Sequence, residues 1–211
     1  MAADIIRCLV LLRVLTAAGL PAFIFRTRVA GFDTPAELNV TSNFDLAIYG
    51  PNQALDAPPK GAAGAAKGAE QCRQVKARSP GTKCYVYRQG WWVMDMFDDE
   101  RAALADPDHA SWWLREPNSS DYAPGGKPGG PGQLWDFRNA SARAFFAKVL
   151  RVAVASPSVD GVFIDDALGV CANTEHVWPG WSGVSLLDRY DMCNGTLAAL
   201  RGAVEAVAPT G

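Results

Sequence analysis

Apolar residues in this chain fall into short continuous runs closed by glycine, proline or charge, and these alternate with longer stretches whose apolar positions recur every three to four residues. The clearest run is Val159-Asp160-Gly161-Val162-Phe163-Ile164-Asp165-Asp166-Ala167, which ends on two acids. A run of this length reads as a strand of a parallel sheet, because such strands are covered on both faces and lose polar alternation. The same signal predicts strands over residues 22–26, 43–49, 83–88 and 133–138. Between them, helices are expected over about 62–77, 94–104 and 140–155, with a last one over 186–207. The 140–155 segment has the best periodicity: Phe145, Phe146, Val149, Val152 and Ala153 share a face behind a capping Asn139. Residues 134–165 then form a strand, a helix and a strand, one βαβ unit. Residues 117–132, with four Pro and five Gly, are expected to be a long loop.

Residues 1–21 admit two readings. Ile5 to Phe25 is almost wholly apolar with Arg7 in front and small residues near Gly19, the layout of a signal peptide. Arg13 interrupts that layout and also opposes a membrane span. The other reading is a helix from Asp4 to Ala18 closed by Gly19 and Pro21. The remaining 22–211 form one domain: 211 residues, 49% apolar and 20% charged, suffice for a single core. A net charge of -2 without any Lys/Arg block excludes the electrostatic footprint of a nucleic-acid or membrane-surface binder.

The five cysteines, Cys8, Cys72, Cys84, Cys171 and Cys193, contain no CxxC pair, so neither a zinc ribbon nor a thioredoxin motif is expected. Cys171 and Cys193 flank one loop and either close it as a disulfide or stay as buried thiols. Sequons at Asn39, Asn118, Asn139 and Asn194 point to the secretory pathway.

Strands alternating with helices mean a parallel α/β architecture, a (β/α) barrel or an open doubly wound sheet. No GxGxxG or GxxxxGK[ST] follows any strand, so the nucleotide-binding folds lack their defining turn and the barrel is the better reading. Barrel chemistry sits at the carboxyl ends of strands. Period-two alternation assigns the rim: Val162 and Ile164 suit the helix layer and turn Asp165 inward, while Trp135 and Phe137 do the same for Asp136 and Arg138. On adjacent strands, about 4.8 Å apart, Asp136 and Asp165 would stand within the roughly 5–10 Å that glycoside hydrolysis uses for its two carboxyls.

Leu134-Trp135-Asp136-Phe137-Arg138-Asn139, a helix, and then Asp160-Gly161-Val162-Phe163-Ile164-Asp165-Asp166 resembles the WDFRN…DGVFxDD pattern of TIM-barrel glycoside hydrolases of the hypothetical glycosyl hydrolase and endo-α-galactosaminidase-like group. Tyr87-Arg88-Gln89 is similar to the YRN that ends an earlier strand there, with Gln89 in place of Asn. The resemblance spans about residues 44–166. It implies a carbohydrate substrate and an acid at the end of each strand, Asp136 and Asp165, with Asp166 beside the second. Arg88 and Arg138 join these as substrate-binding candidates, with Trp91, Trp92, Trp112 and Trp113 near the rims as stacking surfaces for sugar rings. Trp178 and Trp181 are further aromatic candidates, and His109 and His176 are lone loop histidines with no ligand set around them. No cofactor and no metal is expected. About five βα units are legible where a full barrel has eight, so the barrel is expected to be incomplete, with its edge strands uncovered. The classes that follow are a hydrolase of O-glycosidic bonds, a carbohydrate-binding relative without turnover, and an inactive fragment.

Overall fold

A computed structural model of the chain describes residues 21–27, 30–54, 56, 64–94, 96–115, 133–167, 171 and 186–207. The N-terminal apolar segment, the expected loop over 117–132, and Cys8, Asn118, His176, Trp178 and Trp181 lie outside these residues.

Four strands, β1 (Phe23–Arg26), β2 (Leu46–Tyr49), β3 (Lys83–Gln89) and β4 (Gly161–Asp165), form one parallel sheet in the order β1-β2-β3-β4. Helix α1 (Pro35–Thr41) joins β1 to β2, and α2 (Gly64–Arg78) joins β2 to β3. The crossover to β4 holds α3 (Asp98–Ala105), a 3₁₀ turn (Pro107–Trp112) and α4 (Ala140–Ala153), and α5 (Leu186–Val207) follows the sheet. Local chemistry sets several boundaries. Thr34 and Glu37 form a reciprocal capping box with Pro35 at the first turn of α1. Asn139 caps α4 by accepting from the Ser141 and Ala142 N–H groups.

All the described helices that pack on the sheet use the same face. Leu38 of α1, Cys72 and Val75 of α2 and Ala153 of α4 meet Ala47, Tyr49, Cys84 and Val86 in one cluster. Phe146 and Leu150 of α4 and Ala199 and Ala203 of α5 form a second, onto which Val162 and Ile164 pack. This is the geometric result of right-handed crossovers that always advance in one direction along a sheet. The opposite face carries Phe23, Phe25, Leu46, Ile48, Tyr85, Tyr87 and Phe163, of which Phe23 is 64% and Phe25 44% exposed.

The expected strand over 133–138 is not a member of this sheet, and the βαβ unit built on it is corrected accordingly. Among the described residues the sheet has four strands. Leu134 and Trp135 instead make isolated antiparallel bridges to Trp92 and Trp113. Val93 N–H donates to Gln133 O at 2.7 Å, Leu114 N–H to Leu134 O at 2.8 Å and Asp136 N–H to Trp112 O at 2.7 Å. The alternation had a different cause from the one expected: Trp135 and Phe137 stack 5.8 Å apart and pack on Phe146, so the aromatic side faces α4, in the cluster that Val162 and Ile164 of β4 also join.

Two disulfides are formed. Cys171–Cys193 closes the loop it flanks, as one of the two sequence readings holds, and Cys72–Cys84 ties α2 to β3. Two bridges fit an oxidising compartment. No described helix is long and apolar enough to cross a membrane.

Replacing Cys72 by Ala in the otherwise native chain is expected to lower the unfolding free energy by about 3 kcal/mol, the value for a loop of this size. Equilibrium denaturation of the oxidised proteins measures it.

Candidate active site

The carboxyl ends of β3 and β4 are paired residue for residue, with Tyr87 beside Phe163, Arg88 beside Ile164 and Gln89 beside Asp165. Alternation along each strand therefore puts Tyr87, Gln89, Phe163 and Asp165 on the face away from the helices, and Arg88 with Ile164 on the helix-covered face. On the first of these faces, Phe25, Tyr87 and Phe163 form a triangle of rings with centroids 6.0 to 6.1 Å apart. Above it the Tyr87 hydroxyl donates to Asp165 Oδ2 at 2.9 Å. Burial, and then this bond to Asp165, push the Tyr87 phenol well above its ordinary range, so it stays a protonated donor at neutral pH.

Asp165 is half-buried, and its Oδ1 accepts the Asp166 N–H at 2.9 Å. Asp166 is exposed, with a left-handed backbone at φ 51°, a conformation that Asp tolerates better than most residues. Partial desolvation of its carboxyl, and then the charge of Asp165, raise the Asp166 pKa. The turn is clamped by Gly90, whose N–H donates to Asp165 O at 2.8 Å. A side chain at position 90 would put its Cβ 2.7 Å from Ala167 Cα and 2.9 Å from Asp165 O, so only glycine fits.

Arg88 lies behind this site, with a fully buried side chain. It makes two parallel bonds to Asp99, at 3.0 and 2.9 Å, and one to Glu100 at 3.2 Å, and it lies 4.0 Å over the Phe97 ring. Glu100 is buried as well and accepts the Met94 N–H at 2.9 Å through its other oxygen. Burial pushes its pKa up to about 7 although Arg88 opposes the shift. Arg88 thus meets partners of its own chain on the helix side, whereas Tyr87, its neighbour in the same motif, reaches Asp165.

The tryptophans divide in the same way. Trp91 and Trp113 are core residues: Trp91 packs with Leu114, Leu134 and Met192, and Trp113 lies 4.8 Å from Trp135. Trp92 and Trp112 are half-buried, and Trp112 is stacked by His109 at 3.6 Å.

Asp136 does not occupy a strand next to Asp165, because β3 is the neighbour of β4 and the residue across from Asp165 is Gln89. The separation expected from strand adjacency therefore has no basis. Asp136 is gripped by Arg138 through two bonds of 2.8 Å, and Arg138 also reaches Asp188 of α5 at 3.6 Å. Tyr87 and Gln89 are the residues that sequence reasoning passed over. The alternation that selected Asp165 also selects them once β3 and β4 are known to be adjacent. Among the described residues no group of three or more His, Cys, Asp or Glu side chains is arranged to hold a metal ion.

The chain matches no protein-family model and no curated protein.

Two outcomes are expected from this arrangement. Glu100 has a folded-state pKa above its ordinary 4.5, so its contribution to stability is full below pH 4.5 and is lost as pH rises through about 7. The unfolding free energy of the native chain should fall across that window by roughly 2–3 kcal/mol more than that of Glu100→Gln, measured by denaturant titration at a series of pH values. Gly90→Ala should destabilise the fold by about 1–3 kcal/mol, as overpacking does, and chemical shifts of Asp165 and Asp166 should move with it.

Proposed function

We propose that this chain is glycoside hydrolase-like: part of a (β/α) barrel that acts on an O-glycosidic bond of a carbohydrate through carboxylates at strand ends. Two features of the sheet favour the barrel over the doubly wound alternative. Strand order does not reverse, whereas a doubly wound sheet reverses at its switch point. The described helices cover one face only, and the other carries large apolar side chains, among them Phe25, Ile48, Tyr87 and Phe163, which closure into a barrel would bury.

The observation that carries the reading is the acid pair at the end of β4, with Asp165 oriented by the Tyr87 hydroxyl and Asp166 raised beside it. Glycoside hydrolysis needs one carboxyl that keeps a proton for the leaving oxygen and another that is ionised to attack or to activate water. Asp166 is assigned the first role because partial desolvation, and then the charge of Asp165, raise its pKa. Asp165 suits the second: it accepts from two donors, the phenol and the Asp166 N–H, an arrangement that serves an anion. Asp136, held by Arg138, is given the lesser part of ordering the turn before α4. Trp92, half-buried just past the carboxyl end of β3, is the stacking surface of choice for a sugar ring, whereas the ring of Trp112 is already stacked by His109; Arg88 acts from behind by holding the end of β3. Export fits the same reading, since the two disulfides and the sequons both suit a secreted protein.

The test is turnover of a panel of aryl glycosides and polysaccharides. Asp165→Asn and Asp166→Asn should each lower kcat/KM by about 100-fold or more, while Asp136→Asn should cost far less. Binding without turnover by the native chain would remove the enzyme reading and leave a carbohydrate-binding relative. Full activity in Asp165→Asn would keep the class and move the site.

A further inference from the structure

Helix α5 has two apolar sides. Met192, Thr196, Ala199 and Ala203 are buried and recur at helical spacing along its packed side. On the other side Tyr190, Leu197 and Val204, seven residues apart, are 65%, 38% and 66% exposed. A shallow groove of about 340 Å³ beside them is lined by Leu197, Leu200, Arg201, Val204 and Glu205. A surface helix ordinarily turns a polar face outward, and apolar residues exposed at this regular spacing call for a cover.

Asn194 stands in this stripe, four residues after Tyr190 and three before Leu197, and it is exposed. It opens the sequon Asn194-Gly195-Thr196. Gly195 is pressed so closely on the turn before α4 that a Cβ would lie 2.4 Å from Phe137 O, and the buried Thr196 hydroxyl donates to Met192 O at 3.0 Å. These two neighbours fix the packed side of the helix and leave Asn194 on the solvent side. We propose that Asn194 is an N-glycosylation site and that its glycan lies over the apolar stripe of α5. A branched, strongly hydrated sugar chain attached within the stripe shields it from other molecules, which an aliphatic surface alone would attract.

The sequon at Asn139 differs in kind. Its Nδ2, the atom a glycan would occupy, donates to Ser111 O at 3.1 Å and to Ser111 Oγ at 3.0 Å, and its Oδ1 caps α4. It is expected to stay bare in the folded protein. The inference rests on export of the chain and not on the catalytic reading, so the presence or absence of glycosidase turnover leaves it untouched.

The experiment expresses the full chain in a eukaryotic secretory host and maps its peptides by mass after enzymatic release of N-glycans. Conversion of Asn194 to Asp on release, with Asn139 unmodified, is the expected result. Asn194→Gln, and Thr196→Val, which refills the buried position and leaves Asn194 in place, should each lose that glycan and shift from monomer to a concentration-dependent oligomer in sedimentation. A bare Asn194 in the secreted protein, retention of the chain outside the secretory pathway, or glycan-free variants that sediment as the native chain does would each overturn the proposal.

Discussion

The register between β3 and β4 is the constraint on which the site depends. Side chains on a strand alternate, so a slip of one residue would carry Tyr87 to the helix layer and deliver the Arg88 guanidinium to Asp165. Several contacts prevent this. Gly161 leaves room for the Tyr85 ring, which would meet a Cβ there at 3.2 Å. Asp160 accepts the Cys84 N–H at 2.8 Å and pairs with Lys76 of α2. At the other end the Gly90 N–H closes on Asp165 O. The pair is thus held at both ends, and the acids emerge at one defined place.

The helix-covered face uses charge where a hydrocarbon core would serve stability as well. Arg88, Asp99 and Glu100 form one buried cluster at the end of β3, and Asp33 joins Arg26, Tyr49 and Gln71 in another at the ends of β1 and β2. Buried ionic groups rarely add net stability over apolar ones, because desolvation offsets their attraction. Their directionality is what apolar packing lacks. Each cluster ties the last residues of a strand to the segment that leaves it.

Much of the fold was legible from hydrophobic runs and punctuation. The four sheet strands and the helices α2, α4 and α5 fall where the pattern puts them, because each is bounded by Gly, Pro or a capping side chain. The segment 133–138 was misread for a physical reason: Trp135 and Phe137 alternate as strand residues do, but the partner of their apolar side is α4, and backbone pairing comes from Trp92 and Trp113. Strand adjacency is a long-range property that no local window holds, and Asp136 was drawn into the site through that error. Arg88 shows the same limit at the scale of one residue. Its place in a motif drew attention, while its parity on β3 assigned it to the buried side. The Cys171–Cys193 bridge was visible as a loop clasp, whereas Cys72–Cys84 joins a helix to the strand it packs on and needs the packing to be known first.

Asp166 is subject to two requirements that ordinary substitution would confuse. Its φ of 51° restricts the position to residues at ease in left-handed backbone, chiefly Gly, Asn and Asp, whatever chemistry the carboxyl performs. Variation among related chains would be read differently under each. If the backbone alone were selected, Asn and Gly would replace Asp freely. If the proton were selected, Asp would be retained even where the turn admits the other two. The frequency of Asn at this one position therefore separates a demand of folding from a demand of catalysis.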